Sequence, residues 1–352
     1  MKLENLKNRL WRKYYKLTGQ RYSAKRALRV PRTLEYRGEF GLELLVFLPF
    51  IAWLSSAGLL RNRTIKTYRG MRSFYEGLEF KQFIEHDGRR TFIAPGDRAA
   101  YLPVKSEHDF DGVRRSPFHI YPDFRAMFGS VPLPAAFETR LVDRPLLIVH
   151  NKHTDEWNAG PVNHISLTAL ERLFSDLSQT FTVVYIRHGI RRSGHGYVDD
   201  ENTMVDFDDA SVIARFPDVV LFDDLFDTHR SETGADDINA FKNALCSRSF
   251  RFITSQGGGA HHLAYFSGSV MIILHRRGKE EEMAYAEGFY NYLANPSPIR
   301  LCCRTEDELI EAASVMRNSE VVDGRILLAA QTAAVAARYS PWTFTSTGKD
   351  AS

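Results

Sequence analysis

Apolar residues along this chain fall into two kinds of pattern, with a change at Pro31. Residues 1–17 place Leu3, Leu6, Leu10, Trp11, Tyr14 and Leu17 on one side of a helix and Lys and Arg on the other, which is the period of an amphipathic helix. After Pro31 a short strand is expected at 32–37, then the loop Gly38-Glu39-Phe40-Gly41. A helix apolar nearly all round follows from 42 to about 59, and a second strand at 64–68. Strand, glycine loop, helix, strand is the opening of a βαβ unit. Residues 70–130 hold many Gly, Pro, Asp and aromatic residues, with short strand signals at 91–94 and 118–121. The stretch 129–145, with Pro132, Pro134 and Pro145, reads as a linker.

Beyond it strands and helices alternate. Strands are expected at 146–150, 181–187, 219–222, 250–254, 270–274 and 299–303. Helices are expected at 164–177, 236–246, 260–267 and 306–316, with a closing Ala-rich helix over about 321–338. Such alternation calls for parallel sheets covered on both faces. The fold class is therefore α/β, with two Rossmann-like domains facing across a cleft and an N-terminal basic amphipathic helix. The expected divisions are an arm at 1–30, an N-terminal domain at 31–140, a C-terminal domain at 141–320, and a closing helix and tail at 321–352 able to pack back on the N-terminal domain.

Composition excludes disordered, collagen-like and disulfide-scaffold classes, since 44% of the 352 residues are hydrophobic and 25% charged. Charge sharpens the picture once it is divided by position. Residues 1–32 carry eleven basic side chains against Glu4, a net +10, so a chain of total +3 has a body of −7. A basic arm of this kind suits an anionic membrane surface. It equally suits docking on the body or a nucleic acid, but the acidic body offers no basic groove with interleaved aromatics, and no nucleic-acid partner is expected. Three cysteines without CxxC spacing, Cys246, Cys302 and Cys303, point to a reducing, cytoplasmic setting. The longest apolar run, 44–54, has eleven residues with Pro49 inside it, too short to span a bilayer.

The sharpest local signal runs from Thr254 through Gln256-Gly257-Gly258-Gly259-Ala260-His261-His262 to Gly268. A strand ends, three glycines let backbone approach a ligand, and a helix begins, an arrangement that suits a phosphate. The same glycines also suit a tight strand–helix turn. The segment resembles the donor-binding block of GT-B glycosyltransferases, in particular the heptosyltransferase-type Ser/Thr-Gly-x-x-His-x-Ala-x-x-x-Gly pattern. The resemblance implies that Gly257, Gly258, Gly259 and His261 or His262 cradle the diphosphate of a nucleotide-sugar, with Gln256 where an acid often stands. Gly38-Glu39-Phe40-Gly41-Leu42-Glu43-Leu44 resembles the acceptor-side opening of the same enzymes, close to a fucosyltransferase-like Gly-x-x-Gly-x-Glu/Gln-Leu run, so Gly38 and Gly41 would border the cleft.

Glu39, at the carboxyl end of the first strand, is placed where open α/β sheets hold ligands and where a general base could take a hydroxyl proton; it could instead cap the helix. Glu43 reads as a paired structural carboxylate that orients the loop. Asp97, His108, Asp109 and Asp111 are rival bases. After the strand at 146–150 come Asn151, Lys152 and His153; Lys152 or His153 could neutralise a leaving diphosphate. His150, His153 and Asp155 have the residue types for a metal, although no metal site is expected. Arg187, His188, Asp223 and Asp224 follow other strands as candidate nucleotide contacts. Glu280-Glu281-Glu282 falls where GT-B enzymes often hold a donor sugar or ribose, with Glu282 the candidate; a solvated helix start is the alternative.

The function so implied is transfer of a sugar from a nucleotide diphosphate sugar to a hydroxyl of a glycan or lipid-linked acceptor. It would be inverting and metal-independent, with the donor as substrate and no cofactor, on the cytoplasmic membrane face. A sugar-nucleotide epimerase of the same architecture and a non-catalytic anionic-surface or nucleic-acid binding protein stay open.

Overall fold

The computed structural model describes residues 30–87, 90, 116–155, 160–187, 207–278, 280–281, 285 and 289–340. The arm helix, the strand signal at 91–94, and Asp97, His108, Asp109, Asp111, His188 and Glu282 lie outside the described residues.

The N-terminal unit is a parallel sheet of three strands, β1 (Thr33–Glu35), β2 (Thr64–Tyr68) and β3 (Gln82–His86), in that order. Between the first two runs one continuous helix, α1 (40–56), built from an α-helical turn Phe40–Leu42, a π-helical stretch Glu43–Phe47 and an α-helix Leu48–Ser56. Pro49 has no N–H to donate and its ring crowds the carbonyl four residues back, so the turn before it widens: Leu48 N–H bonds to Glu43 O, five residues away. That leaves the Leu44 carbonyl to accept from the Tyr265 hydroxyl, which comes from the C-terminal part of the chain.

Next come α2 (Phe124–Phe128) and α3 (Ala135–Asp143). The expected linker thus contains a helix. Pro134 opens it with an extended backbone, and its one buried side chain, Phe137, gives little periodicity to read. The signal at 118–121 forms a turn and irregular chain instead of a strand.

The larger sheet is built from β4 (Leu146–Asn151), α4 (Leu167–Leu177), β5 (Thr182–Arg187), α5 (Asp209–Ile213), β6 (Val219–Leu221), α6 (Phe222–Thr233), α7 (Ile238–Arg248), β7 (Arg251–Ser255), α8 (Gly258–Leu263), β8 (Val270–Leu274), α9 (Tyr290–Leu293) and β9 (Ile299–Cys303). Its six strands are all parallel, in the order β6-β5-β4-β7-β8-β9. Alternate residues face opposite layers. Leu147, Val149, Val183 and Ile253 pack under α4 and α10 (Glu306–Arg317), while Leu146, Ile148, Val184 and Phe252 pack under α7 and α8. Both faces are buried, so the strands read as unbroken apolar runs.

The expected closing helix over 321–338 divides. The hairpin β10 (Ser319–Val322) and β11 (Arg325–Leu328) turns at Asp323-Gly324, both with positive φ, and precedes α11 (Ala330–Tyr339). Ala336 and Tyr339 of α11 join the layer of α10 on the large sheet. Two separate domains were expected across a cleft; among the described residues the small sheet, α1, α2, α7 and α8 share one continuous apolar core. Arg125 of α2 ties the units by donating to the carbonyls of Ser247, Ser249 and Ser267.

Candidate functional site

The order of the large sheet reverses between β4 and β7: the chain fills one side outward to β6, then returns and fills the other. In doubly wound sheets ligands bind beyond the carboxyl ends of the strands at this point. β4 delivers Lys152 there and β7 delivers Gly257. Gly257 has φ +129°, and a Cβ built on it would stand 2.9 Å from Lys152 Nζ. Any side chain at 257 would be strained and would displace the ammonium. Asn151 fixes the Lys152 backbone: its Oδ1 accepts from the N–H groups of Lys152 and Ile165, each 2.9 Å, and its Nδ2 donates to Ile165 O at 2.9 Å. Asn151 is buried, and these bonds position the loop.

The two glycine loops meet each other. A Cβ on Gly41 would lie 2.6 Å from His261 Cδ2 and 3.5 Å from Gly258 Cα, and one on Gly258 would lie 3.1 Å from Phe40 Cδ1. At Gly259 a Cβ would collide with the His150 ring. Gly41, Gly258 and Gly259 therefore permit close packing of protein on protein, while a side chain at Gly257 would meet Lys152. Because α8 is short, charge at this edge comes from Lys152.

Gly38 is buried, and its carbonyl accepts from Arg90 Nη1 at 3.3 Å. Arg90 also pairs with Glu43 at 2.7 Å, and the same carboxylate accepts from Thr67 Oγ1 at 2.5 Å and Tyr75 OH at 2.8 Å. Arg90 and Glu43 are 2% and 0% exposed, and the guanidinium lies over the Tyr68 ring, 4.3 Å from its centroid. Glu43 is thus the paired structural carboxylate expected, and Arg90 carries the link to the loop. Burial and the Glu43 charge push the Tyr75 hydroxyl well above its ordinary pKa, so it stays a donor. Glu39 has an extended backbone, its side chain makes no capping hydrogen bond, and its carbonyl accepts from Tyr36 OH and the Glu43 N–H. The cap reading of Glu39 is set aside.

The tandem histidines part company. His261 Nδ1 is 2.7 Å from the Tyr290 hydroxyl, and burial lowers its pKa to about 4, so the ring is neutral. His262 turns inward, with Nε2 2.5 Å from Asn243 Oδ1 and its ring among Phe40, Phe74, Phe124 and Phe266. Burial takes its pKa well down; it is a core residue, which corrects its assignment as a ligand contact. Gln256 is buried behind the glycines with its Oε1 unpaired in hydrogen bonding.

Four further candidates were named from the sequence. Arg187 is ion-paired with Asp209 at 2.8 Å, and Asp209 also accepts from Tyr185 OH, so the arginine's charge is paired within the protein. His153 stacks on Phe207 with centroids 4.3 Å apart. His150 faces Thr254 Oγ1 at 3.3 Å, and Asp155 accepts from the Gly160 N–H, so the three metal-type side chains point to separate partners. Among the described residues no group of three or more His, Cys, Asp or Glu side chains is arranged to hold a metal ion.

Sequence reasoning did not single out Arg90 or Tyr290, and named Glu280 only as part of an acidic run. Arg90 stands alone in a segment without periodicity, so no pattern could assign it. Glu280 faces His275 Nε2 at 3.4 Å. Burial raises its carboxyl, but the His275 hydrogen bond and the nearby His261 bring it net below its ordinary value.

No protein-family profile matches the chain, and no curated protein matches it. One solved structure it resembles is a glycosyl transferase family 9 protein from Veillonella parvula, at 12% identity and a TM-score of 0.44, over 83% of this chain and 90% of that one. A superposition at that level settles neither family nor activity. Among the described residues no helix is long and apolar enough to cross a membrane.

Proposed function

We propose that this chain is a glycosyltransferase, moving a sugar from a nucleotide diphosphate sugar to a hydroxyl of a glycan or lipid-linked acceptor. The observation that carries the reading is Lys152 Nζ seated over the bare backbone of Gly257 at the point where the sheet order reverses. A cation and an open backbone there fit a diphosphate. The Glu39 loop abuts the same edge, because Gly41 touches Gly258 and His261.

In this reading the acceptor oxygen attacks the anomeric carbon from the face opposite the leaving group, and the configuration inverts. Glu39 takes the hydroxyl proton. The bond from the anomeric carbon to the diphosphate oxygen breaks, and Lys152 offsets the charge that develops on the departing nucleoside diphosphate. Neutral His261, held by Tyr290, lines the joint between the two loops. The basic arm places the protein on an anionic membrane face in the cytoplasm.

Incubation with UDP-, GDP- and ADP-sugars, with and without a lipid-linked glycan extract, tests this. Release of nucleoside diphosphate should depend on acceptor, and Glu39→Gln should slow it by roughly 10²–10⁴-fold with nucleotide affinity unchanged. Complete turnover of a nucleotide-sugar without acceptor would instead indicate an epimerase or hydrolase.

A further inference from the structure

α7 carries a lysine that the preceding site does not use. Lys242, in the second turn, is 8% exposed, and its Nζ lies 6.0 Å from the centroid of the Phe40 ring. Phe40 follows Glu39 and touches Gly258, so this ammonium stands beside the joint of the two loops. No carboxylate among the described residues acts on it. Burial pushes its pKa below the usual lysine value, and the Cys246 thiol alone is opposed. The stem is buried while the ammonium, held beside the Phe40 ring, has no carboxylate partner among the described residues.

The neighbouring side chains add donors and no negative charge. Asn243 spends its Oδ1 on His262 Nε2 and has its buried Nδ2 without a hydrogen-bond partner. Ser73 Oγ, on the turn Arg72–Tyr75 that packs against α7, is likewise buried and unpaired. The two lysines act on different histidines: Lys152 on His261, Lys242 on His262. They mark two places.

We propose that Lys242, with the amide of Asn243, binds an oxyanion group, phosphate or carboxylate, carried by the acceptor near its attacking hydroxyl. The acceptors of this protein are then anionic molecules, gripped beside the Glu39 loop while Lys152 holds the donor's diphosphate. That the anion belongs to an acceptor rests on the glycosyl-transfer reading; the anion site itself does not.

The test uses the full-length protein in the Lys152→Met background, so that any remaining anion effect belongs to the second place. Thermal stability is followed during titration with inorganic phosphate and, separately, acetate. A stabilising shift is expected from at least one, and the stronger identifies the group as phosphate or carboxylate. Adding Lys242→Met, which keeps the apolar stem, should reduce that shift at least fivefold, and Lys242→Arg should restore it. Lys242→Met alone should melt no lower than wild type in anion-free buffer and should bind UDP, GDP or ADP within twofold of wild type. No shift with either anion, or a shift that survives Lys242→Met, would overturn the proposal. So would a lower melting temperature for Lys242→Met without anions, which is the mark of a merely structural lysine. A Lys242-dependent shift in a protein that binds no nucleoside diphosphate would support the anion site and sink the glycosyl-transfer reading instead.

Discussion

Gly41 and Glu43 are two residues apart and guard different things. Gly41 gives α1 room to approach His261, so Gly41→Ala must move that ring or the backbone. A loss of about 1–3 kcal/mol is expected from such overpacking, read by urea titration. Glu43 instead neutralises Arg90 in the core. Glu43→Gln removes the charge that neutralises the buried guanidinium and should destabilise by about 3–5 kcal/mol; an effect below about 1 kcal/mol would contradict the account of the loop. His261 gives a pH signature. Its pKa is near 6.5 in the unfolded chain and about 4 when folded, so its neutral form is favoured by folding. The stability this contributes is complete above pH 6.5 and is lost as pH falls through 6.5 towards 4. His262 shifts in the same direction. Urea unfolding should therefore show lower stability at pH 5 than at pH 7, in a range where most carboxylates remain ionised.

The elements that could be read from sequence are those whose environment imposes one pattern. β4, β7, β8 and β9 are buried on both faces, and their apolar runs put their ends within a residue or two of the structure. α10 begins at a capping box of Thr305 and Glu308. β3 escaped because it is polar and half-exposed at an edge. α6 escaped because it starts directly after β6, although Asp223 and Asp224 in its first turn and left-handed Gly234 at its end were visible signals. In the candidate site, Lys152 and Gly257 were legible as strand-end residues. The packing of the other glycines was not legible, because a glycine admits backbone close to a ligand or close to another loop, and sequence cannot say which. The partners of Arg187 and His262 were not legible for a similar reason: Asp209 and Asn243 are 22 and 19 residues away. The widened turn of α1 is tied to Pro49, so Pro49→Ala should let Leu44 O compete between Leu48 N–H and Tyr265 OH. Tyr265→Phe is then expected to destabilise the wild type more than the Pro49→Ala variant, a coupling that a double-mutant cycle measures.

At the scale of the whole molecule, the charge division motivates the proposal that location and chemistry belong to different segments. The −7 body holds its candidate diphosphate contact with a single strand-end lysine, while the +10 segment at 1–32 is remote in sequence from Lys152 and Gly257. Deleting residues 1–29 should abolish sedimentation with vesicles containing anionic lipid and leave nucleotide affinity within twofold; loss of both would refute the separation. The shared core between the small sheet and the large one bears on closure, because the Tyr265–Leu44 and Arg125 bonds join the units without a substrate. The central claim is that Lys152 above Gly257 receives a diphosphate. Calorimetric titration of wild type and Lys152→Met with UDP, GDP and ADP tests it most directly. At least one should bind the wild type, and the variant should bind it about tenfold or more weakly, as expected for losing a contact to a charged group of about 1.5–3 kcal/mol. Equal affinity in the two proteins, or no binding of any of the three to the wild type, would contradict it.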